Sequence, residues 1–324
     1  MAVLTRLHRL FSSNPPSASL EIAPGRVTGL TLGRGSGRAI TGAVTELLPD
    51  GALTPTANAT NMTDQSAVSK AVGRVLKQLP GTPRQVALVV PDSAAKVSLM
   101  TFEQIPARQA DLDQLVRWQA RKSAPFKVED AQIAYSPGLA TEGGGQELIV
   151  SLMRRDIVEE YEAVCASAGG HAGVVDLASF SLVNAVLCGN DVANADWLLV
   201  HIAQGYSTIA VVRQGQVILF RNRPAESDGN LSDLVHQTTM YYEDRLHGAG
   251  FGRVFLVMSA PDSDADQAVS LRQSLETRLS IGVEAIIPGV EVANGQDPGA
   301  VRPDLMAAPL GLLLRERLAA ETGA

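Results

Sequence analysis

A glycine turn between two apolar strands is the feature of this sequence best suited to chemistry. The segment VHIAQGYSTIAVV (200–212) predicts two buried strands on either side of Gln204-Gly205-Tyr206. Glycine adopts backbone angles that other residues avoid, so such a turn can bring backbone N–H groups close to a phosphate. The segment is therefore a candidate phosphate cradle, either functional or degenerate.

A second copy of this pattern lies near the start of the chain. The segment LEIAPGRVTGLTL (20–32) aligns with residues 200–212 when position 21 is set on position 201, an offset of 201 − 21 = 180 residues. Each copy is followed by a helical pattern and a further strand, which predicts a duplicated α/β lobe. The identities are Ile22 with Ile202, Ala23 with Ala203, and Gly25 with Gly205.

Other reactive residues do not form recognisable sites. The glycines at 33, 35 and 37 join strand to strand without the spacing of a dinucleotide fingerprint, which favours a hairpin turn. The five histidines and two cysteines lack metal-ligand spacing. No G-x-S-x-G nucleophile motif is present. The sequence therefore favours neither a metal centre nor a serine hydrolase.

Hydrophobic periodicity predicts the elements that position the two turns. We expect a first lobe over 19–190, an inserted subdomain at about 92–175, and a second lobe over 191–324. Asp176 or Ser179 is expected near the start of a helix that follows a strand in the first lobe. The terminal helix at 302–321 is expected to pack back on the first lobe. Residues 1–18 predict an amphipathic segment and a linker, either a foot on a membrane or partner helix, or a frayed terminus.

Composition excludes several classes of function. The chain has 324 residues, a net charge of −7 and a pI near 5.3, which argues against nucleic acid as the main partner. Cys165 and Cys188 are the only cysteines, which is typical of a reducing cytoplasm. No apolar run approaches the roughly 18–20 residues of a membrane span. We therefore expect a cytoplasmic protein.

Several strings resemble one family of proteins. The helix VRWQARKSAPF (116–126), the strand end and helix RRDIVEEYEAVCASAG (154–169), and the paired-tyrosine helix HQTTMYYEDR (236–245) carry the resemblance. They are similar to the PilM family, actin-like cytoplasmic proteins of the type IV pilus machine that are related in fold to FtsA. The resemblance covers residues 19–320. It implies a two-lobed actin-like α/β fold, a duplicated RNase H-like fold, with an inserted subdomain in the first lobe.

In that family a nucleotide lies between the lobes, and this sequence departs from all three nucleotide loops. The first loop, Asp-Ile-Gly-Ser, is here EIAP (21–24), and the second, Asp-Ile-Gly, is HIA (201–203). The glycine-rich adenosine loop is here VMSAP (257–261). The resemblance therefore implies a degenerate nucleotide cleft. Its residues would be Glu21, Ala23, Pro24, Gly25, His201, Ala203, Gly205 and Ser259.

Each substitution acts against magnesium or phosphate. Magnesium prefers carboxylate and water oxygens, whereas His201 offers nitrogen. Glu21 keeps a carboxylate, but on a side chain one methylene longer, where placement matters at the ångström scale. Pro24 has no backbone N–H to offer a phosphate. We therefore expect no bound metal or cofactor, with binding of ATP and magnesium as the alternative.

The resemblance also implies a partner. In the family, the short cytoplasmic start of a PilN-like inner-membrane protein docks on the first lobe. The corresponding groove would lie near Trp118, Arg121, Pro125 and Phe126, although such aromatic side chains could instead belong to a core. A helical subdomain of the second lobe is here reduced to about ten residues, 222–231. The cytoplasmic part of GspL, a type II secretion homologue, also has an altered cleft.

Three functions are compatible with these features. The first is a pseudo-ATPase scaffold of a pilus or secretion machine, recruited to the inner face of the inner membrane. The second is a working ATPase or sugar-kinase-like phosphotransferase, which needs a metal-supporting acid in each loop. The third is an FtsA-like polymer tethered by an amphipathic end, but that relative's tether is C-terminal. We expect the first.

Overall fold

The computed structural model describes residues 15–33, 39–141, 143–189, 192, 195–225, 231–260, 265–286 and 301–321. Most of the predicted N-terminal amphipathic segment, and residues 34–38 of the predicted glycine turn, lie outside these residues. Among the described helices, none is long and apolar enough to cross a membrane.

Strands and helices alternate through the first part of the chain. They are β1 (Ala18–Ala23), β2 (Arg26–Leu32), β3 (Ile40–Leu47), α1 (Gln65–Gln78), β4 (Gln85–Val90), β5 (Ala95–Phe102), α2 (Gln109–Ala120), β6 (Ala131–Ala140), β7 (Gln146–Arg154), α3 (Arg155–Ser167), β8 (His171–Leu177) and α4 (Ala178–Gly189). The remainder contains β9 (Trp197–Ala203), β10 (Tyr206–Arg213), β11 (Gln216–Pro224), α5 (Leu231–Leu246), β12 (Arg253–Met258), α6 (Ala265–Leu279), β13 (Val283–Glu284) and α7 (Pro303–Glu321).

Two of the sheets repeat the same topology. One has the strand order β3-β2-β1-β4-β8 and the other β11-β10-β9-β12-β13. In the first sheet, β1 pairs antiparallel with β2 and parallel with β4, the strand after helix α1. In the second, β9 pairs antiparallel with β10 and parallel with β12, the strand after helix α5. The turn glycines also match, since the Gly25 carbonyl accepts from Leu48 N–H at 2.8 Å and the Gly205 carbonyl from Ala225 N–H at 2.9 Å. The predicted α/β fold of two duplicated lobes is confirmed.

A third, antiparallel sheet forms a subdomain distinct from the first lobe. It has the order β5-β7-β6 and packs against the buried face of α2, which carries Leu112, Val116 and Ala120. This sheet and its helix occupy residues 95–154. Helix α3 and strand β8, which the sequence pattern assigned to the 92–175 insertion, instead complete the first lobe. Strand β8 pairs parallel with β4, and Ile157 and Tyr161 of α3 lie in the core of the first lobe.

Local sequence explains where the helix α1 begins and ends. The Asp64 carboxylate accepts the Ala67 N–H at 2.9 Å, which satisfies a donor of the first turn. Val68, Val72 and Val75 recur at helical spacing on the buried face. Pro80 cannot continue the helix.

The terminal helix α7 packs on the first lobe, mainly against α4. Its Pro309 carbonyl accepts a hydrogen bond from Ser19 Oγ of β1 at 2.8 Å. Gly311 lies at the closest approach of α7 to α4. A Cβ at this position would overlap the Ser181 carbonyl oxygen and lie 2.8 Å from Ala185 N. The contact between the two helices therefore requires glycine at position 311.

We expect Gly311→Ala to lower the melting temperature by a few degrees, because overpacking a core contact costs about 1–3 kcal/mol. Gly73→Ala is the matched control. Its Cβ would meet only Ala168 Cβ at 3.8 Å, and alanine favours a helix over glycine by up to about 1 kcal/mol. Thermal unfolding followed by circular dichroism measures both. Equal melting temperatures for the two variants would contradict the close approach.

Candidate functional site

The two predicted phosphate turns lie at the ends of equivalent hairpins. Pro24-Gly25 joins β1 to β2, and Gln204-Gly205 joins β9 to β10. Both glycines have positive φ, 76° and 85°, as the second central residue of a type II turn requires. Ala23 and Ala203, the last residues of the incoming strands, are buried. Both turns therefore have the backbone conformation that the sequence predicts. The side chains around them, described next, do not leave an open cleft.

The Glu21 carboxylate forms a buried ion pair with an arginine of its own lobe. Arg26, the first residue after the turn, is fully buried, and its Nη1 lies 2.9 Å from Glu21 Oε2. Its Nε donates to the Ser259 carbonyl of the second lobe at 3.0 Å. Its Nη2 has no hydrogen-bond partner among the described residues. Arg26 thus connects the first lobe to the segment expected to be the adenosine loop.

His201 is buried between hydroxyl groups. Its Nδ1 lies 3.0 Å from Ser179 Oγ at the start of α4, and its Nε2 lies 2.8 Å from Ser259 Oγ. Asp92 Oδ2 is 3.5 Å from Nδ1. Both ring nitrogens are therefore engaged by the protein itself, one in each lobe.

Asp92, just after β4, is the acceptor at the centre of this network. Its Oδ1 accepts the Ser179 N–H at 2.9 Å, and its Oδ2 accepts from Ser179 Oγ and, at 2.7 Å, from Thr208 Oγ1 of the second lobe. Asn222 Nδ2 donates to Thr208 Oγ1 at 2.9 Å. The helix start expected to be capped by Asp176 or Ser179 is thus capped by Asp92, while Asp176 Oδ1 accepts from Leu177 N–H.

The direction of the protons follows from the acceptors. Because Ser179 Oγ donates its single hydrogen to Asp92, it can only accept from His201 Nδ1. His201 Nε2 and the Ser259 hydroxyl form the next hydrogen bond, and that hydroxyl also lies 3.4 Å from the Ile202 carbonyl oxygen. One continuous chain of hydrogen bonds therefore crosses from lobe to lobe. We call it the interlobe network, consisting of Glu21, Arg26, Asp92, Ser179, His201, Thr208, Asn222 and Ser259.

Two further side chains, those of Arg302 and Tyr206, lie beside the interlobe network. Arg302 Nη2, just before α7, donates to the carbonyl oxygens of Met258 at 2.7 Å and Ala260 at 3.4 Å. Burial, together with the charges of Asp92 and Glu21, raises the pKa of the Tyr206 hydroxyl well above its ordinary value. Tyr206 is thus a neutral group beside His201, with the two rings edge to face.

The interlobe network offers little to a magnesium nucleotide. Magnesium is held by oxygen ligands, chiefly carboxylates. Here Glu21 is paired with Arg26, and Asp92 accepts three hydrogen bonds. Within the described ranges, no group of three histidine, cysteine or acidic residues could hold a metal ion. These side chains therefore do not fit a magnesium-bound triphosphate.

The structure brings together three of the predicted cleft residues and adds others that the sequence did not reveal. Glu21, His201 and Ser259 are joined through Arg26, although no nucleotide loop was expected to contain an arginine. The available signal was a charged residue inside the buried strand pattern of 20–32. For Asp92, the signal was an acid directly after a buried parallel strand, the edge where ligand sites form.

The residues expected to line the partner groove lie on the outer side of the inserted subdomain. Trp118, Arg121 and Pro125 are exposed, and Phe126 is partly buried against the core of that subdomain. Arg121 forms an exposed ion pair with Glu129 at 2.6 Å. None of the four lines the groove described next, and their role as partner contacts stays a prediction.

A groove of about 260 Å³ lies between the inserted subdomain and the first lobe. One wall is β8, which is the edge strand of the first sheet, and α3. The other wall is formed by β6 and β7. We call it the β8 groove. Its lining includes Ala134, Ser151, Val158, Glu159, Glu162 and Val174.

The β8 groove has an acidic rim and a floor tied to the terminal helix. Burial raises the pKa of the Glu162 carboxyl, an effect that Glu159 reinforces and the nearby His171 opposes. Asp176, which also lines the groove, forms a buried ion pair with Arg315 of α7. Burial raises the pKa of Asp176, and Arg315 opposes that shift. The rim therefore carries the carboxyl groups of Glu159 and Glu162 and one basic side chain, Arg155.

Comparison with known proteins places this geometry in context. The model of the family described as type IV pilus assembly protein PilM matches residues 34–244. A solved PilM–PilN type IV pilus biogenesis complex superposes with a TM-score of 0.76 at 16% identity, covering 93% of this chain and 98% of the other. The cytoplasmic domain of EpsL, from the type II secretion system of Vibrio cholerae, gives a TM-score of 0.49 at 10% identity, covering 93% and 94%. No curated protein matches significantly.

We expect Arg26→Met to lower the free energy of unfolding by about 3–5 kcal/mol, since it leaves the buried Glu21 carboxylate without its partner. The double variant Glu21→Gln/Arg26→Met should lose less than Arg26→Met alone, because no unpaired charge remains. Urea unfolding measures the double variant and the two single variants, Arg26→Met and Glu21→Gln. Arg121→Ala is the control, because an exposed ion pair contributes about 1 kcal/mol or less. A double variant as unstable as the sum of the single variants would contradict the pairing.

Proposed function

Because the chain belongs to the PilM family of type IV pilus assembly proteins, we propose that it is an assembly scaffold whose nucleotide cleft is filled by its own side chains. The interlobe network carries this proposal. It joins the lobes at the level of both phosphate turns. It uses the carboxylates and hydroxyls that a magnesium nucleotide would need.

Arg26 is the residue that most directly opposes nucleotide binding. In a working cleft, the acid of the first loop supports a cation. Here the cation is a guanidinium covalently attached to the chain, and it is fully buried. A magnesium ion would have to displace it and leave it without a counter-charge, at a large electrostatic cost. Arg26 Nη2, which has no hydrogen-bond partner among the described residues, is insufficient by itself to bind a triphosphate.

The network also explains how such a protein could keep its shape without ligand. In a nucleotide-driven machine, the ligand bridges the lobes and its hydrolysis separates them. Here Ser259 accepts from Arg26 through its carbonyl and contacts His201 through its hydroxyl, so the bridge is internal. A protein with a constant interlobe geometry is suited to presenting a docking surface rather than to cycling.

The partner that we propose is a PilN-like inner-membrane protein, by analogy with the complex solved for the similar PilM protein. Its cytoplasmic start would recruit this chain from the cytoplasm to the inner face of the inner membrane. We place its docking site in the β8 groove. Strand β8 is the edge of its sheet, and an extended peptide can add to such an edge through main-chain hydrogen bonds.

The lining of the β8 groove specifies the chemistry of that peptide. Val158 and Val174 offer apolar contacts, and an added strand would direct alternate side chains toward them. Glu159 and Glu162 at the rim favour a basic side chain. The occupant is therefore an extended segment that combines apolar residues with at least one lysine or arginine.

We expect millimolar Mg-ATP to leave the melting temperature of the purified protein unchanged, and no phosphate to be released. A ligand at about 100 times its dissociation constant stabilises a protein by about 2.7 kcal/mol, which corresponds to a shift of several degrees. Magnesium chloride alone is the control for ion effects. A clear shift with Mg-ATP would contradict the filled cleft, and turnover would contradict the scaffold.

We expect the cytoplasmic N-terminal segment of the cognate PilN-like protein, used as a fluorescent peptide, to bind in the β8 groove. Ser151→Phe should fill the groove and weaken binding about tenfold or more, which corresponds to 1.4 kcal/mol. Glu162→Gln should weaken binding several-fold and reduce its dependence on salt. Trp118→Ala is the control, since Trp118 lies outside the groove. Fluorescence anisotropy that showed loss of binding only with Trp118→Ala would place the peptide on α2 instead.

A further inference from the structure

Helix α2 presents a tryptophan to solvent. The side chain of Trp118 is 56% exposed, whereas Trp197, the other tryptophan, is 1% exposed. The Lys122 ammonium lies 4.5 Å from the centre of the Trp118 ring. An exposed tryptophan is seldom structural, because its large apolar ring gains most of its stability from burial.

Basic residues are concentrated near Trp118 in the sequence of an otherwise acidic chain. Residues 115–127 contain four basic residues and no acidic one, although the whole chain has a net charge of −7. Arg117 is held internally, donating to the Val128 carbonyl at 3.0 Å. Arg121, Lys122 and Lys127 are exposed, and only Arg121 has an acidic partner described, Glu129. We call Trp118, Arg121, Lys122 and Lys127 the α2 basic face.

We propose that the α2 basic face rests on the headgroups of anionic phospholipids. Tryptophan is enriched at membrane interfaces, where its ring is apolar and its N–H stays wet. Lysine and arginine can lay their aliphatic stems along the apolar boundary and extend their charges to phosphates. Each basic residue near an anionic surface contributes about 1 kcal/mol, a roughly fivefold gain in partitioning.

The shape of the α2 basic face favours a lipid surface over a protein partner. Its charges lie on long, exposed side chains just after the end of α2, and one of them, that of Lys122, lies over the Trp118 ring. A fluid headgroup layer requires no shape complementarity from such a surface. The inference relies on the proposed function only for placing the chain beside a membrane. Contact through α2 would orient the inserted subdomain toward the lipid, independently of the peptide in the β8 groove.

The test uses the full chain without any partner protein. Sedimentation with vesicles compares pure phosphatidylcholine with a two-to-one mixture of phosphatidylcholine and phosphatidylglycerol. We expect binding only to the anionic vesicles, with a blue shift of Trp118 fluorescence that Trp118→Phe abolishes, since Trp197 is already buried. Binding should weaken as salt screens the charges.

Variants assign the binding to α2. Arg121→Glu/Lys122→Glu should lower partitioning by about 25-fold or more, the product of two fivefold losses. Trp118→Ala should lower it several-fold. Leu47→Ala is the control, because Leu47 is 68% exposed but follows the acidic Glu46. Equal binding to neutral vesicles, no binding, or unchanged binding of the charge-reversed variant would overturn the proposal. None of these results would alter peptide binding in the β8 groove, so the two proposals can fail separately.

Discussion

Burying the Asp92 carboxylate between two lobes imposes a constraint that shapes the rest of the molecule. A buried carboxylate is costly unless its oxygens accept hydrogen bonds, and Asp92 obtains them from the start of α4 and from β10. Those donors come from different lobes, so separating the lobes would remove the hydrogen bond from Thr208 and leave only those from Ser179. The orientation of His201 and the hydrogen on its Nδ1 then follow from Ser179, which Asp92 positions.

A second buried carboxylate of the first lobe also has its counter-charge inside the protein. Asp176 lies at the carboxyl end of β8, the strand parallel to β4, and it obtains its counter-charge from Arg315 of α7. Asp92 and Asp176 thus lie at the carboxyl ends of two neighbouring parallel strands, β4 and β8. One connects the first lobe to the second, and the other connects the β8 groove to the terminal helix. In the scaffold that we propose, these two buried carboxylates would hold the docking site in a constant relation to the body of the protein.

Local patterns in the sequence were sufficient for the fold and insufficient for the side-chain partners. Strand–turn–strand periodicity and the turn glycines at 25 and 205 predicted both hairpins, because these features depend only on near neighbours. The pair of Asp92 and Thr208 spans 116 positions and depends on how the lobes close. Arg26 contacts Glu21 although its neighbour across the β1–β2 ladder is Ala23, since a long guanidinium reaches beyond its register. The exposure of Trp118 depends on which face α2 buries, which its resemblance to a family motif did not specify.

The close crossing of α4 and α7 at Gly311 has a consequence for synthesis on the ribosome. The first lobe contains residues from the beginning of the chain, yet its core includes Leu310, Leu312 and Leu313. Domains emerging from the ribosome generally fold as they appear, N-terminal first. Here the first lobe exposes an apolar surface until α7, which follows the second lobe in the sequence, has also been synthesised. Completion of the first lobe therefore comes after synthesis of the second, and truncation before α7 would leave both lobes synthesised but one of them without its covering helix.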